Sequence, residues 1–493
     1  MGLALPTRVA VLLALFLVLL TITAYTGFFL SNDRAHWSEW TRPSRVLAIL
    51  VLLVVTPIVL RQALRLWLEG DKSRFPDIDR AWQEGLSLLE QQQLDIRELP
   101  LFLLLGGSND RMCDAVMEAA GYEWLVAGQP QGVWPLRWYA NQRAIFVCTP
   151  GLGCLSAFSA AAQQATRSQG GTSSITSTLV AGQAAPTIQG TAVASAGSPD
   201  SKSIRGTIQP GLQSTLTVDD SPGSAPARGG GTALTRGQID DQSIQLAYVG
   251  ELLRQARQPY CACNGLMTLL PLPLIDDLLL AKELPSYLRQ DLSTLQRATQ
   301  LCCPVTVTVV GMEAEPGFAE LMRRVGTQRA KEGRFGKGAK VWSYPTPGNL
   351  EALTAQACGA FEDWIYALFR EEGGLSKPGN GKLFSLLCKM RSRLRNRIRD
   401  LLCGGFGCES EEDRQATLLS GCYFAATGNS PDRQGFVRGA LDKLLQQEED
   451  LQWTEAALAE DARYRNWAQF CLLLDGCLVI ALLSMVVYHF VSR

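Results

Sequence analysis

Histidine is almost missing from this chain. Only His36 and His489 occur in 493 residues, and both lie next to or inside long apolar runs. Acid–base chemistry near neutral pH draws on imidazole more than on any other side chain. No nucleophile–histidine arrangement and no paired-carboxylate motif stands in for it, so an independent enzyme is not expected. Net charge is nearly absent too, with 46 Lys and Arg against 47 Asp and Glu. A chain balanced in this way has no bulk basic surface to hold a phosphate backbone, which argues against a nucleic-acid partner.

Cysteine, by contrast, is plentiful at 14 residues. Its placement is not that of a disulfide framework. Cys261-Ala-Cys263 and Cys302-Cys303 border apolar, strand-like runs, while Cys113, Cys148, Cys358, Cys388 and Cys422 stand singly. Free cysteine is a good small core residue, and this usage points to a reducing, internal location. Cys403 and Cys408 have a possible ligand spacing, and Cys261 and Cys263 are available to join them, but neither pair is a CxxC. No metal and no cofactor are expected.

Long apolar runs come next. Residues 9–30 are uncharged and long enough for a bilayer, which takes about 20 apolar residues. The run exceeds a signal-peptide core and no small-residue cleavage site follows it, so it is read as an uncleaved helix. Residues 46–60 form a shorter run that reaches a span if Arg61 snorkels. Trp37 and Trp40 lie in the loop between the two, which together read as a hairpin. A third run, 470–491, contains Asp475, costly in lipid unless it meets a partner. Arg61, Arg65, Lys72 and Arg74 follow the second run, and Arg463 and Arg465 precede the third. The positive-inside rule then places the large middle region in the cytoplasm.

In that middle region, strand and helix patterns alternate, as in an α/β sheet. An amphipathic helix is predicted over 77–96, a buried strand at "LPLFLLLGG", a helix over 110–120 and two strands in "GVWPLRWYANQRAIFVC". Residues 159–236 change character: rich in Gly, Ser, Thr and Ala, poor in aromatics and aperiodic, they read as a disordered insertion. Order resumes with a helix over 240–258 and strands in "CNGLMTLLPL" and "CCPVTVTVVG". The spacing of Leu350, Leu353, Phe361, Trp364 and Phe369 predicts a helix over 349–370. The basic run "KMRSRLRNRIRD" places arginine at every second position, which rings a helix and reads as solvated or headgroup-facing.

Several of these segments, in this order, resemble the N-terminal part of the TssM/IcmF family, the inner-membrane subunit of type VI secretion systems. "LPLFLLLGG" is similar to that family's strand leading into a phosphate loop, and "RWYANQRAIFVCTPG" to the strand ending in DTAG. "RQARQPYCACNGLMTLLPL" is similar to its arginine-rich helix with the following strand. "CPVTVTVVGMEAEPGF" resembles the strand ending in TKxD and then PGF, and "GCYFAATG" an element of the family's helical extension. The resemblance implies a P-loop NTPase-like fold with three transmembrane helices. On that basis residues 1–66 are a transmembrane hairpin, and 67–158 and 237–330 the two parts of the NTPase-like domain. The insertion at 159–236 separates them, 331–468 is a helical extension and 469–493 the last transmembrane helix.

The chemical positions depart from the family together. A phosphate loop needs its second glycine for backbone wrapping, its lysine for the outer phosphates and a hydroxyl for magnesium. Counted from Gly106, those places hold Arg111, Met112 and Cys113. The magnesium-linked aspartate of DTAG is Cys148, and the lysine and aspartate of TKxD are Gly311 and Glu313. Hydrogen bonds to charged groups contribute roughly 1.5–3 kcal/mol each. Loss of the lysine, the metal hydroxyl and the magnesium-linked aspartate together removes roughly 5–8 kcal/mol, against about 8 for micromolar binding. Arg111 is the one residue able to restore some phosphate affinity.

The expectation is a degenerate, non-catalytic scaffold subunit in the bacterial inner membrane, multi-pass, with its main domain cytoplasmic. The resemblance implies a TssL/DotU-like membrane protein as partner, with self-association also expected. The alternative is a nucleotide-binding regulator or weak GTPase/ATPase using a non-standard phosphate loop.

Overall fold

The computed structural model describes residues 5–30, 51, 53, 55–63, 74–170, 233–341, 344–407 and 418–491. One compact unit comprises 1–163 and 233–493, and a second comprises 164–232. Of the second, the described residues continue helix α4 (Cys154–Gly170). Most of the expected insertion, 171–232, lies outside the described residues.

An eight-stranded sheet organises the first unit. Its strands, in chain order, are β1 (Leu101–Leu105), β2 (Val126–Gln129), β3 (Arg137–Ala140), β4 (Ile145–Cys148), β5 (Gly265–Pro271), β7 (Pro304–Val310), β8 (Gly336–Gly338) and β9 (Leu418–Phe424). The spatial order is β2-β3-β4-β1-β5-β7-β9-β8. The five central strands are parallel, in registers such as Leu101↔Ile145 and Phe102↔Gly265. β2, β3 and β8 run antiparallel at the two edges. β6 (Leu301–Cys302) pairs instead with β12 (Gln452–Trp453), and β10 (Ala426–Thr427) with β11 (Gln434–Gly435).

All five residues of β1 are buried, because parallel strands covered on both faces must be apolar throughout. Leu101, Leu103 and Leu105 join the larger core, and Phe102 and Leu104 the smaller one on the opposite face. The smaller face is covered by α3 (Asp110–Ala120) and by a helix at Val437–Leu445, which contributes Val437, Leu441 and Leu444. The larger face carries α2 (Pro76–Gln91), α4, α5 (Arg236–Arg257), α7 (Leu278–Thr299), α8 (Pro316–Val325), α10 (Pro347–Arg370) and α12 (Arg395–Phe406). Of the expected fold class, the alternating strands and helices of an α/β sheet are present. β8 and β9, though, fall inside 331–468, the stretch read as a helical extension.

The expected membrane spans do not stand. Among the described residues no helix is long and apolar enough to cross a membrane. α1 (Leu5–Leu30) falls on the first of the expected spans. The hairpin loop at 31–50 lies outside the described residues. The last helix, Glu455–Val491, carries Glu455, Glu460, Asp461, Arg463 and Arg465 in its first three turns. The three transmembrane helices, and with them the multi-pass placement in a bacterial inner membrane, are therefore corrected.

The basic run keeps the expected exposure at Arg391, Arg393 and Arg395 and adds a structural role. Met390–Leu394 is a π-helical segment between Asn380–Lys389 and α12. Lys389, Arg393 and Arg397 thereby converge on one point, the end of the short helix α6 (Leu272–Asp276) after β5. Lys389 Nζ lies 2.9 Å from the Asp276 carboxylate, and Arg393 and Arg397 donate to the Asp276 carbonyl. Arg397 also donates to the carbonyl of Ile275 at 3.0 Å. Cations satisfy the orphan carbonyls of a helix end and complement its dipole, so these residues serve a structural role.

Close packing yields a paired prediction. Gly85 of α2 lies against Trp138 of β3, so that a Cβ there would enter the indole ring. Gly359 of α10 has open space at the same atom. Gly→Ala raises helix propensity by about 1 kcal/mol at either site, but overpacking costs about 1–3 kcal/mol. Gly359→Ala is expected to raise the urea midpoint and Gly85→Ala to lower it.

Candidate functional site

Ligands of open α/β sheets bind beyond the carboxyl ends of the strands, where the chain switches direction across the sheet. Here that point is β1, flanked by β4 on one side and β5 on the other. The loop after β1 is thus in the right place for a phosphate, and its geometry decides what it can do.

Gly106 turns the chain at φ +84°, where any Cβ would strike the carbonyl of Leu269. Its N–H donates to the Ser156 hydroxyl at 3.1 Å. Asn109 then caps α3: its carboxamide oxygen accepts from the Met112 N–H at 2.9 Å, while its Nδ2 donates to Gln163 Oε1 at 3.3 Å. The Gly107 carbonyl accepts from the Gly151 N–H at 3.1 Å. Cys113, fully buried, packs its sulfur against Gly107. Two backbone donors at this corner, the N–H groups of Gly106 and Met112, are therefore spent within the protein. Arg111 is exposed and makes no hydrogen bond or ion pair among the described residues.

Cys148 ends β4 and is fully buried in the same core cluster as Cys113. Burial pushes its thiol well above the usual range. A neutral thiol is no ligand for magnesium, which takes hard oxygens. Gly311 and Glu313 follow β7, separated from the Gly106 loop by β5. Glu313 Oε2 accepts from the Thr427 N–H at 2.9 Å and so pins β10. The fold thus brings Gly106, Met112, Cys113 and Cys148 together and leaves Gly311 and Glu313 to one side.

Two groups of residues complete this edge that motif reading did not find. Arg137 on β3, buried, holds Asp114 at 2.9 Å and Asp110 at 3.8 Å, and donates to the Gly128 carbonyl at 2.8 Å. Tyr139 also donates to Asp114, so the start of α3 is clamped to the sheet. Desolvation raises the Asp110 carboxyl against the pull of Arg137. The second group centres on Asp291, midway along α7. Its carboxylate oxygens accept from the N–H groups of Cys154 at 2.7 Å and Leu155 at 2.9 Å, capping α4 from another helix. Asn109 was legible as a cap, being an Asn just before an amphipathic helix. Asp291 carries no local signal.

No family model matches the chain, and no curated protein and no solved structure matches it either. The chemistry rests on the geometry alone: a glycine turn after β1 in which the Gly106 and Met112 N–H groups are bonded within the protein.

Burial raises the Asp291 carboxyl to about 7, against the two N–H bonds that favour its charge. The folded state therefore holds a proton that the unfolded chain has already lost above its ordinary value of 3.8. Stability from this group is full below pH ~4 and falls as pH rises to about 7, by an amount on the order of a few kcal/mol. Urea midpoints of the wild type and of Asp291→Asn, measured at pH 5 and pH 8, test this. The wild type is expected to lose its advantage over the variant on going to pH 8; an advantage that grows would contradict the assignment.

Proposed function

We infer that this chain is a non-catalytic assembly scaffold built on a degenerate nucleotide-binding sheet. One observation carries the reading: at the phosphate and magnesium positions the Met112 N–H is taken by the Asn109 side chain, and Cys113 and Cys148 are fully buried thiols. Together with the sequence resemblance, it supports a TssM/IcmF-like role in which the domain holds a TssL/DotU-like protein and other copies of itself. Arg111, exposed and unengaged among the described residues, is the feature that favours the competing reading of a nucleotide-binding regulator.

Calorimetry of the full chain with GTP and with ATP, each with magnesium, separates the two. No heat of binding up to millimolar nucleotide is expected, since loss of roughly 5–8 kcal/mol leaves little of a micromolar site. Submillimolar binding that disappears in Arg111→Ala would overturn the scaffold reading. Affinity purification is expected to recover a TssL/DotU-like protein, and its repeated absence would remove that partner.

A further inference from the structure

At the opposite end of the sheet, two cysteines flank the amino ends of adjacent strands. β5 and β7 pair in parallel from Leu266↔Val305. Cys263 stands two residues before β5, and Cys303 immediately before β7. Both are buried, and their sulfurs lie 3.9 Å apart in hydrogen-bond contact. The neighbouring Cys302 is engaged elsewhere, accepting from Gln296 Nε2 at 3.0 Å.

Arg257, in the last turn of α5, sits beside this pair and is itself 3% exposed. Its guanidinium donates to the carbonyls of Ile96 and Leu99, each at 2.7 Å, and of Cys261 at 2.8 Å, and to Asn264 Oδ1 at 3.1 Å. All four acceptors are neutral, and no carboxylate pairs with it among the described residues. A buried cation without a counterion is expensive, and Cys263 is an ionisable group within reach of its field. Hydrogen bonding from Cys303, aided by Arg257, holds the Cys263 thiol below the usual range in spite of burial. A cavity of about 10 Å³, lined by Cys263, Cys302, Cys303 and Gln296 among others, adjoins the sulfurs. That is about the room one water-sized oxygen needs.

We propose that Cys263 and Cys303 are a redox-active thiol pair that a hydroperoxide oxidises to a disulfide. The Cys263 thiolate attacks the outer oxygen of the hydroperoxide. The O–O bond breaks, the departing alkoxide or hydroxide takes up the proton Cys263 has released, and Cys263 becomes a sulfenic acid. The Cys303 sulfur then attacks the Cys263 sulfur. The S–S bond forms as the S–O bond breaks, and the leaving hydroxide departs with the Cys303 proton as water. Two electrons pass from the thiols to the peroxide. The sulfurs must close from 3.9 Å to about 2.0 Å for this. The product would staple β5 to β7 at their amino ends.

The full chain, reduced and then pulsed with hydrogen peroxide, is read by alkylation and peptide mass mapping. A linked peptide pair containing Cys263 and Cys303, lighter by two hydrogens, is expected to appear before the exposed Cys388 is oxidised. Cys263 should react at least about tenfold faster than that ordinary surface thiol. In Cys303→Ser, which lacks the resolving thiol, dimedone is expected to trap a sulfenic acid at Cys263. Cys263→Ser should leave Cys303 unmodified. If either variant fails to fold, dimedone competition during the pulse of wild-type chain gives the same readout. Oxidation of Cys388 while Cys263 and Cys303 stay reduced would overturn the proposal, as would a folded Cys303→Ser with no adduct at Cys263.

Discussion

Every helix begins with backbone N–H groups that its own turns cannot satisfy, and at the carboxyl edge of this sheet those groups decide what the fold can bind. A nucleotide site keeps them free for phosphate. Here Asn109 closes the start of α3, and Asp291 reaches across from α7 to close the start of α4. A cap of the first kind stabilises by about 1 kcal/mol, so an incoming phosphate must displace an interaction already made. Asp291 has a wider consequence. Because α7 links β5 to β7, its carboxylate ties the loop after β4 to the next crossover, and the edge becomes one connected surface.

Burial of the cations follows the same economy of donors. Arg137, Arg257 and Arg397 all turn inward and spend N–H groups on carbonyls at Gly128, at Ile96, Leu99 and Cys261, and at Ile275 and Asp276. Each carbonyl lies in a loop, at a helix end or, for Gly128, where the pairing of β2 with β3 shifts register. Arginine suits this work because its planar fork holds five donors and stays charged. A chain with almost no net charge thus uses part of its basic complement as internal fasteners, which the alternation in 389–400 conceals. The π-helical segment at Met390–Leu394 shifts the phase so that Lys389, Arg393 and Arg397 share a target.

Local chemistry made some elements legible in advance. β1 is a five-residue apolar run between Pro100 and Gly106-Gly107, and α3 is bounded by Asn109 and by Gly121, which takes the left-handed turn at φ +63°. Thr346 and Pro347 likewise mark the start of α10. β8 is Gly-Lys-Gly and β2 is only four residues long, so neither shows an alternating pattern. β9 is apolar enough to be noticed, yet its partner β7 lies more than a hundred residues earlier, and no local feature says that it enters the main sheet. The site divided along the same line. Gly106, Met112, Cys113 and Cys148 converge because strand order places them together, whereas Asp291, which closes the start of α4, comes from an element more than a hundred residues later.

The phosphate-loop departures are physically coupled. Position 148 is wholly buried; a carboxylate there without magnesium would be an isolated charge, costing several kcal/mol. A hydroxyl at 113 without metal would be an unpaired dipole in the same enclosure. A thiol suits that space: burial pushes the Cys148 group up, so it stays neutral there. Cys113 and Cys148, both fully buried in the smaller core, thus pack the β1 loop as a corner of the sheet.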